Sequence, residues 1–152
     1  MDLGIQGKRA IVCASSKGLG LGCALSLAEA GVDLIINSRN LQNVENAASL
    51  LKSKYQVRVE TVVADITTKE GQDAVLKKAE NNLDILVTNA GGPPPGLWSD
   101  WSRSDFISAL DANMLTPITL IKEVLPVMIE KGWGRIVNIT SQSVKAPIPA
   151  LG

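Results

Sequence analysis

The sequence predicts an α/β fold in which a doubly wound parallel sheet of five strands is covered by helices on both faces. Three observations predict it. Short apolar runs alternate with longer segments of helical periodicity along the chain. The runs are almost wholly apolar, as parallel strands buried on both faces must be. Right-handed crossovers between successive strands then favour the strand order 3-2-1-4-5.

The first half of the chain contains three predicted strands. Apolar runs predict strands over 10–13, 34–36 and 57–64, and helical periodicity predicts helices over 19–30 and 41–54. Gly31 follows the first helix at the position that favours left-handed backbone, which ends the helix there.

The second half contains the remaining two strands, over 83–87 and 135–139, and two further helices. The run Thr67-Thr68-Lys69-Glu70 predicts a capping box that opens a helix to about residue 80. A second box at 102–105 opens a long helix to about residue 131. Pro117 inside that helix predicts a kink near Asn113, because proline lacks an N–H and crowds the preceding turn.

The composition limits the classes of partner that this chain is expected to bind. The chain has 152 residues, 45% of them apolar, which suits one domain over 1–152. Lys plus Arg is 15 and Asp plus Glu is 15, and this balance argues against nucleic acid or an anionic membrane as the main partner. The longest apolar run, over 124–129, is interrupted by Pro126 and is shorter than a membrane span. No partner of either class is predicted.

Histidine is absent from the sequence, and there are two cysteines, Cys13 and Cys23. This excludes His-based catalytic triads, His metal sites and a multi-disulfide scaffold. No metal site is predicted, and two sparse cysteines suit a reducing cytoplasm.

A glycine-rich turn follows the first strand. Gly18 and Gly20 let the backbone turn tightly and approach a diphosphate closely, while the start of the next helix offers free N–H donors. An ordinary strand-to-helix turn is the alternative, but the flanking strand and helix favour nucleotide binding. We assign the whole turn to a cofactor site: Ala14, Ser15, Ser16, Lys17, Gly18, Leu19 and Gly20.

The ends of the second and third strands carry polar residues. Asn37, Ser38 and Arg39 stand where an acidic residue would bind the 2′-hydroxyl of an adenosine ribose. Arg39, helped by Lys17, instead predicts a 2′-phosphate and hence NADP rather than NAD, unless both are solvated surface cations. Asp65 is expected to accept from the adenine amine while Ile66 packs on the ring, or else Asp65 complements a helix dipole.

The ends of the fourth and fifth strands complete the site. Asn89, Ala90 and Gly91 let a cofactor lie across the sheet edge, and the Asn89 side chain can tie neighbouring strands together. Ser141 can bond a substrate carbonyl and Thr140 adjoins the cofactor, although a plain Ser/Thr loop is the alternative. Asn113 can hold a water or a catalytic group, or is a polar residue tolerated in mid-helix.

These residues carry a family resemblance. Gly18-Leu19-Gly20, Asp65, Asn89-Ala90-Gly91, Asn113 and Ser141 occur in the order and spacing of the short-chain dehydrogenase/reductase family. The run Gly132-Trp133-Gly134-Arg135-Ile136-Val137-Asn138-Ile139 is also typical. The chain looks most like the bacterial 3-oxoacyl-(acyl carrier protein) reductase branch, over essentially its whole length. Cys13 and Ala14 depart from the usual Thr-Gly, but alanine is small enough for the turn.

The resemblance implies a Rossmann-type domain and NAD(P)-dependent reduction of a carbonyl to an alcohol, or the reverse. It implies that Ser141 polarises the carbonyl and that Asn113 supports a water relay. The family also uses a Tyr-x-x-x-Lys pair, which begins beyond Gly152 in the family's spacing; the one tyrosine here, Tyr55, has no lysine four residues on. A noncatalytic dinucleotide-binding or regulatory module is the alternative.

The fifth strand, over 135–139, would be an apolar edge of the kind that natural proteins avoid. We therefore expect this chain to be the amino-terminal part of a longer protein, with the family's last strands missing, and to show no turnover alone. The parent protein is expected to be a homodimer or homotetramer formed through the long helix over 105–131. Trp98 and Trp101 are expected to fasten the loop after the fourth strand, or to line a substrate entrance.

Overall fold

The computed structural model describes residues 2–146, which form one five-stranded sheet with the order β3-β2-β1-β4-β5. Every neighbouring pair of strands is parallel. The strands are β1 Arg9–Val12, β2 Asp33–Ser38, β3 Val59–Val63, β4 Ile85–Thr88 and β5 Arg135–Asn138. The predicted fold class and strand order are confirmed.

The helices follow the strands in alternation. They are α1 Gly18–Glu29, α2 Leu41–Lys54, α3 Lys69–Ala79, α4 Arg103–Leu110 and α5 Thr116–Glu130. Short 3-10 turns cover Trp98–Asp100 and Gln142–Val144. Gly31 and Gly132 have φ of +77° and +64°, so both adopt the left-handed backbone expected where a helix ends.

One predicted cap is wrong by a residue. The Thr68 hydroxyl, not that of Thr67, accepts the capping bond from the N–H of Gly71, at 3.0 Å. Thr67 turns the other way, and its N–H and hydroxyl both donate to Asp65. The threonine nearer the strand therefore serves the strand end, and the next one caps the helix.

The sheet separates two apolar layers because successive strand residues point to opposite faces. Val12, Leu34 and Ile36 face α1 and α2, where Ala24, Val44 and Leu51 are buried. Ile11, Ile35 and Leu86 face α3 and α5, where Val75, Leu120 and Val124 are buried. Both faces of the central strands are thus covered, which explains why the strands read as unbroken apolar runs.

The predicted kink near Asn113 appears as a π-helical turn, Asp111–Leu115, between α4 and α5. Pro117 follows the π-turn directly, and because proline has no N–H it interrupts the helical hydrogen-bond pattern at this point. The Asn113 side chain donates to the carbonyl of Ala109 at 3.1 Å, which satisfies one carbonyl at the turn. The helix is therefore one long element with an altered turn.

By length and composition, the continuous helical run Arg103–Glu130 is long and apolar enough to cross a bilayer. The sequence prediction counted uninterrupted apolar residues and missed this, because the run spans α4, the π-turn and α5. One face packs on the sheet through Thr116, Leu120, Val124 and Met128. Much of the rest is exposed and apolar, including Phe106, Leu110, Met114, Ile118 and Ile129.

The amino edge of the sheet, where the strands begin, is closed by charged groups. Asp84 is 6% exposed; it accepts from the Arg9 N–H at 2.9 Å and from the Lys131 ammonium at 2.6 Å. Glu60 accepts from the Arg9 guanidinium at 2.6 Å and lies 3.1 Å from that of Arg58. These contacts tie the start of β1 to β3, β4 and the end of α5.

The loop after β4 is fastened by Trp101. Its indole ring meets Phe106 edge to face, with ring centroids 5.7 Å apart. A Cβ on Gly96 would lie 2.7 Å from the Trp101 ring nitrogen, so glycine permits this close contact. The anchoring role predicted for Trp101 is confirmed by these contacts, while the side chain of Trp98 lies outside the described residues.

Candidate functional site

The loops at the carboxyl ends of β1 to β4 surround an open cavity of about 630 Å³. Most of the predicted cofactor residues line it: Ala14, Ser16, Lys17, Gly18, Leu19, Asn37, Ser38, Arg39, Asp65, Ile66, Asn89, Ala90 and Gly91. Ligands of doubly wound sheets bind at this edge, where the strand order reverses between β1 and β4. Residues from four separate loops are thus brought to one site.

Five predicted site residues do not line the cavity. Ser15 and Gly20 are buried within the glycine-rich turn, and Ser15 is 0% exposed. Thr140 and Ser141 follow β5, and Asn113 is exposed on the π-turn. The Ser141 hydroxyl accepts from the N–H of Ser143 at 3.1 Å.

The cavity wall also contains residues that sequence reasoning missed: Ala64, Thr67, Gly92, Ser108, Asp111 and Ala112. Ser108, Asp111 and Ala112 are spaced i, i+3 and i+4 and therefore share one face of the helical run. That spacing is visible in the sequence. Whether this helix face reaches the cavity is decided by tertiary packing.

The glycine-rich turn is shaped by two glycines with different roles. Gly18 has a φ of +57°, a left-handed conformation that glycine adopts without steric cost. At Gly20, a Cβ would lie 2.5 Å from the carbonyl oxygen of Ala14 and 2.8 Å from the Asn89 amide nitrogen. The turn therefore packs so closely on β4's end that a side chain at Gly20 cannot fit.

The start of α1 faces this cavity with donors. Its N-cap residue is Lys17, whose extended backbone makes no side-chain cap. The first-turn N–H groups of a helix lack partners within the helix, and its macrodipole places partial positive charge there. Lys17 is itself exposed and cationic. The turn thus has the chemistry of an anion site.

Ala14 adopts a left-handed φ of +46°, which is unfavourable for a residue with a Cβ. Two side-chain amides hold it. The Asn37 oxygen accepts from the Ala14 N–H at 2.8 Å, and the Asn89 nitrogen donates to the Ala14 carbonyl at 3.2 Å. Asn89 also donates to the Cys13 carbonyl at 3.3 Å, so it ties the ends of β1 and β4 together as predicted.

Two serine hydroxyls connect the turn to β2. Ser15 donates to the carbonyl of Val12 at 2.6 Å and accepts from the N–H of Asn37 at 3.2 Å. Ser16 donates to the hydroxyl of Ser38 at 3.1 Å. Ser15 is thus a buried strut, whereas Ser16 and Ser38 present hydroxyls at the cavity wall.

Arg39 and Asp65 lie near each other at the cavity wall, with 3.8 Å between the guanidinium and the carboxylate. The Arg39 side chain is 78% exposed, so this pair is weak and the guanidinium is available to a ligand. Burial alone would raise the pKa of Asp65, but the Thr67 N–H and hydroxyl and the nearby Arg39 outweigh it and lower that pKa. Asp65 is therefore ionised at neutral pH and accepts hydrogen bonds.

The Cys13 thiol is sealed beneath the turn. It is 0% exposed, and burial raises its pKa to about 12 against the opposing effect of a backbone hydrogen bond from Asn89. A thiol held neutral and out of contact with solvent is unreactive. Cys13 therefore serves packing at the end of β1.

Comparison with known proteins identifies the class. Residues 8–152 match the model of the short chain dehydrogenase family. The chain therefore belongs to the short-chain dehydrogenase/reductase family of oxidoreductases. It is 34% identical over 148 residues to an uncharacterised oxidoreductase, YvaG, of Bacillus subtilis, covering 97% of this chain and 56% of the relative. It is 31% identical to a 3-oxoacyl-(acyl-carrier-protein) reductase of Aquifex aeolicus, covering 93% and 58%.

Solved structures agree with the fold. An L-sorbose reductase from Gluconobacter frateurii, complexed with NADPH and L-sorbose, superimposes with a TM-score of 0.91 at 31% identity and covers 97% of this chain and 57% of its own. A 7α-hydroxysteroid dehydrogenase complexed with NADH gives 0.88 at 27% identity, covering 97% and 58%. The chain spans little more than half the length of these relatives.

Proposed function

We propose that this chain is the NADP-binding part of an oxidoreductase that reduces a carbonyl to an alcohol, or catalyses the reverse. The substrate class we favour is a 3-oxoacyl thioester or a related ketone, by analogy with the reductase relatives. A bound nicotinamide dinucleotide supplies or accepts the hydride in such chemistry. One observation carries the proposal: four loop ends with complementary chemistry line one cavity.

The residues present suit a dinucleotide. The missing Cβ at Gly20 lets the turn lie against Ala14, and the first turn of α1, which has no side-chain cap and begins beside Lys17, suits a diphosphate. Asp65 and Ile66 suit an adenine ring, one as a hydrogen-bond acceptor and one as an apolar surface. Ala90 and Gly91 are small enough to leave room above β4.

The preference for NADP rests on charge. At the end of β2, Ser38 and Arg39 supply a hydroxyl and an exposed guanidinium where an acidic residue would be needed to bind a free 2′-hydroxyl. A guanidinium can form two parallel bonds to a phosphate. Solved relatives include NADPH-bound and NADH-bound proteins, so the proposed preference rests on these residues and not on the relatives.

Titration of the full chain with NADPH and with NADH tests the assignment. Arg39→Ala is expected to raise the Kd for NADPH by about ten- to a hundredfold, the loss of one or two charge-assisted hydrogen bonds. The Kd for NADH should stay within about twofold. Arg103→Ala, which removes a cation outside the cavity lining, is the matched control. Tighter binding of NADH than NADPH by the unaltered chain would overturn the assignment.

For the chemistry, we assign Ser141 to polarising the substrate carbonyl and Asn113 to a supporting role through a bound water. Both lie outside the cavity lining, and the Asn113 amide is bonded to Ala109. This observation favours the second candidate, a noncatalytic dinucleotide-binding module. Ketone reduction by the whole protein, lost on Ser141→Ala with the NADPH Kd unchanged, would support the enzyme. NADPH binding without turnover of any ketone tested would support the module.

We also propose that the parent protein is a homo-oligomer, formed through the exposed apolar face of α4 and α5. That face includes Ile107, Met114, Ile118, Leu125 and Ile129, each at least 40% exposed in this chain. A cytoplasmic location, as expected from the cysteine usage, completes the proposal. Sedimentation of the whole protein with and without Ile118→Glu measures the oligomer, and a monomer in both cases would contradict it.

A further inference from the structure

We infer that Asn37 is a positioning residue, which holds the glycine-rich turn in its binding conformation through the backbone of Ala14. The inference rests on the proposed function and goes beyond it. Asn37 is 2% exposed, although it lies at a strand end among polar loops. An amide buried this deeply needs hydrogen-bond partners, and those partners identify its role.

Every polar group of Asn37 faces the turn or the neighbouring strand end. Its side-chain oxygen accepts from the Ala14 N–H at 2.8 Å. Its backbone N–H donates to the Ser15 hydroxyl at 3.2 Å, and its carbonyl accepts from the Ser15 N–H at 3.0 Å. Its side-chain nitrogen donates to the Ala64 carbonyl at 3.2 Å. Asn37 therefore joins three loops that line the cavity.

The bond to Ala14 matters because Ala14 is strained. A left-handed φ of +46° costs a residue with a Cβ free energy that glycine does not lose. The conformation persists only where its surroundings over-determine it. Asn37 supplies one restraint, on the N–H, and Asn89 supplies the other, on the carbonyl.

The strained residue in turn shapes the binding surface. The Ala14 carbonyl oxygen lies 2.5 Å from the point that a Cβ on Gly20 would occupy. Ala14 therefore sets how closely the turn and α1 approach β1. The N–H donors at the start of α1 point as this packing dictates. If Ala14 relaxed, the position of these donors relative to the rest of the turn would change. Asn37 thus acts on the ligand through Ala14, without a requirement to touch it.

The bond to Ala64 anchors the Asn37 side chain itself on the end of β3. Ala64 immediately precedes Asp65, and both line the cavity. The Asn37 amide is oriented so that its oxygen faces the Ala14 N–H while its nitrogen donates to Ala64. An aspartate could make the first bond but not the second, because a carboxylate has no N–H.

The test is a double-mutant cycle in the full chain with Asn37→Ala and Ala14→Gly, read out as Kd for two probes. NADPH reports the whole site; adenosine 2′-monophosphate has no 5′-phosphates and reports only the adenosine end. Asn37→Ala is expected to raise the Kd for NADPH about tenfold, as expected for one buried hydrogen bond, and the Kd for the monophosphate less than about threefold. Asn46→Ala, at an exposed position of α2, is the matched control.

Ala14→Gly makes the cycle decisive. Glycine adopts the left-handed conformation without help, and residue 14 lines the cavity, so water is close to it once the Asn37 amide is removed. We expect the double variant to bind NADPH within about threefold of Ala14→Gly alone, a non-additivity that a general loss of stability would not produce. If Asn37→Ala does not fold, the comparison of the double variant with Ala14→Gly still decides.

Two results would overturn the inference: unchanged NADPH binding by Asn37→Ala, or a double variant at least tenfold weaker than Ala14→Gly alone. Equal weakening of both probes would also overturn it. Failure of the unaltered chain to bind either nicotinamide dinucleotide is a different outcome, because it refutes the proposed function before any variant is made.

Discussion

The two edges of the sheet are built from different interactions. At the amino edge, charged side chains pair with each other: Asp84 with Lys131, and Glu60 with Arg9 and Arg58. At the carboxyl edge, neutral amides and hydroxyls hold backbone groups, as Asn37 and Asn89 hold Ala14. Ionic pairs close the first edge. Amide bonds leave the second edge open and its charged groups Lys17 and Arg39 free to meet a ligand.

The difference shows at which edge charged side chains can brace the backbone without repelling the proposed ligand. A carboxylate used to brace the diphosphate turn would repel the anion that the turn is proposed to bind. A neutral amide provides both a donor and an acceptor without that cost. At the amino edge no anion is expected, and carboxylates brace the strands there. The charged pairs of the amino edge are therefore expected to contribute to stability alone, whereas the carboxyl edge contributes to both stability and the proposed binding.

The largest effect is expected from Gly20→Ala. The new Cβ would meet the Ala14 carbonyl and the Asn89 amide, neither of which can move without losing its bonds. We expect a loss of about 3 kcal/mol in the free energy of unfolding, measured with urea, together with the loss of NADPH binding. Gly22→Ala is the matched control: its Cβ meets nothing within 4 Å, and a gain of about 0.5–1 kcal/mol is expected.

Asp84→Ala tests the other edge. Removing this carboxylate leaves the Arg9 N–H without its acceptor and the Lys131 ammonium without its charged partner, at a cost of about 2 kcal/mol in the free energy of unfolding. The Kd for NADPH should not change under conditions where the variant is folded. Asp73→Ala breaks an exposed pair with Lys69 and should change stability little. Weakened cofactor binding by Asp84→Ala would show that the two edges are coupled.

Acid should weaken the amino edge. Burial would raise the pKa values of Asp84 and Glu60, but hydrogen bonds and charges from Lys131, Arg9 and Arg58 outweigh it and hold both pKa values below their ordinary range. The unfolded chain then binds more protons than the folded chain, so stability rises with pH in that range. The free energy of unfolding should fall as the pH drops below about 4. In Asp84→Asn, this fall should be shallower than in the unaltered chain.

The smallest effect concerns the cysteines, and it reports on the carboxyl edge. Cys13 is buried beneath the turn, with its pKa raised to about 12, whereas Cys23 is partly exposed on α1. A thiol reagent should therefore label one cysteine in the native chain, and Cys23→Ser should abolish that labelling. In Gly20→Ala the turn is displaced, so Cys13 should become reactive. Rapid labelling of Cys13 in the unaltered chain would contradict the sealed turn.

Most of the fold could be predicted because its signals are local. Apolar runs, capping residues and the glycines at helix ends predicted every strand and helix to within a few residues, and right-handed crossovers then favoured the observed strand order. Thr67 and Thr68 show the limit of local reading. Either threonine could cap α3 by its type and position. Thr67 donates to Asp65 instead, so Thr68 is the residue that caps the helix.

The candidate site was predicted less completely. Loop residues that follow strands could be placed at one edge, because parallel strands all end there. Ser108, Asp111 and Ala112 were missed, since no motif marks them and the path of α4 depends on packing. Ser141 and Asn113, assigned through the family resemblance, lie outside the cavity lining and their roles stay predictions.

By itself, the sequence determined the order of strands and helices, the class of fold, the positions of the turns and the charge of the loops. These follow from periodicity and from backbone preferences, which act over a few residues. Only the tertiary structure decided that Asn37 and Asn89 together hold Ala14. Ala14 is 23 residues from Asn37 and 75 from Asn89, and their bonds exist because parallel pairing aligns the ends of β1, β2 and β4. Such long-range alignment has no local signature.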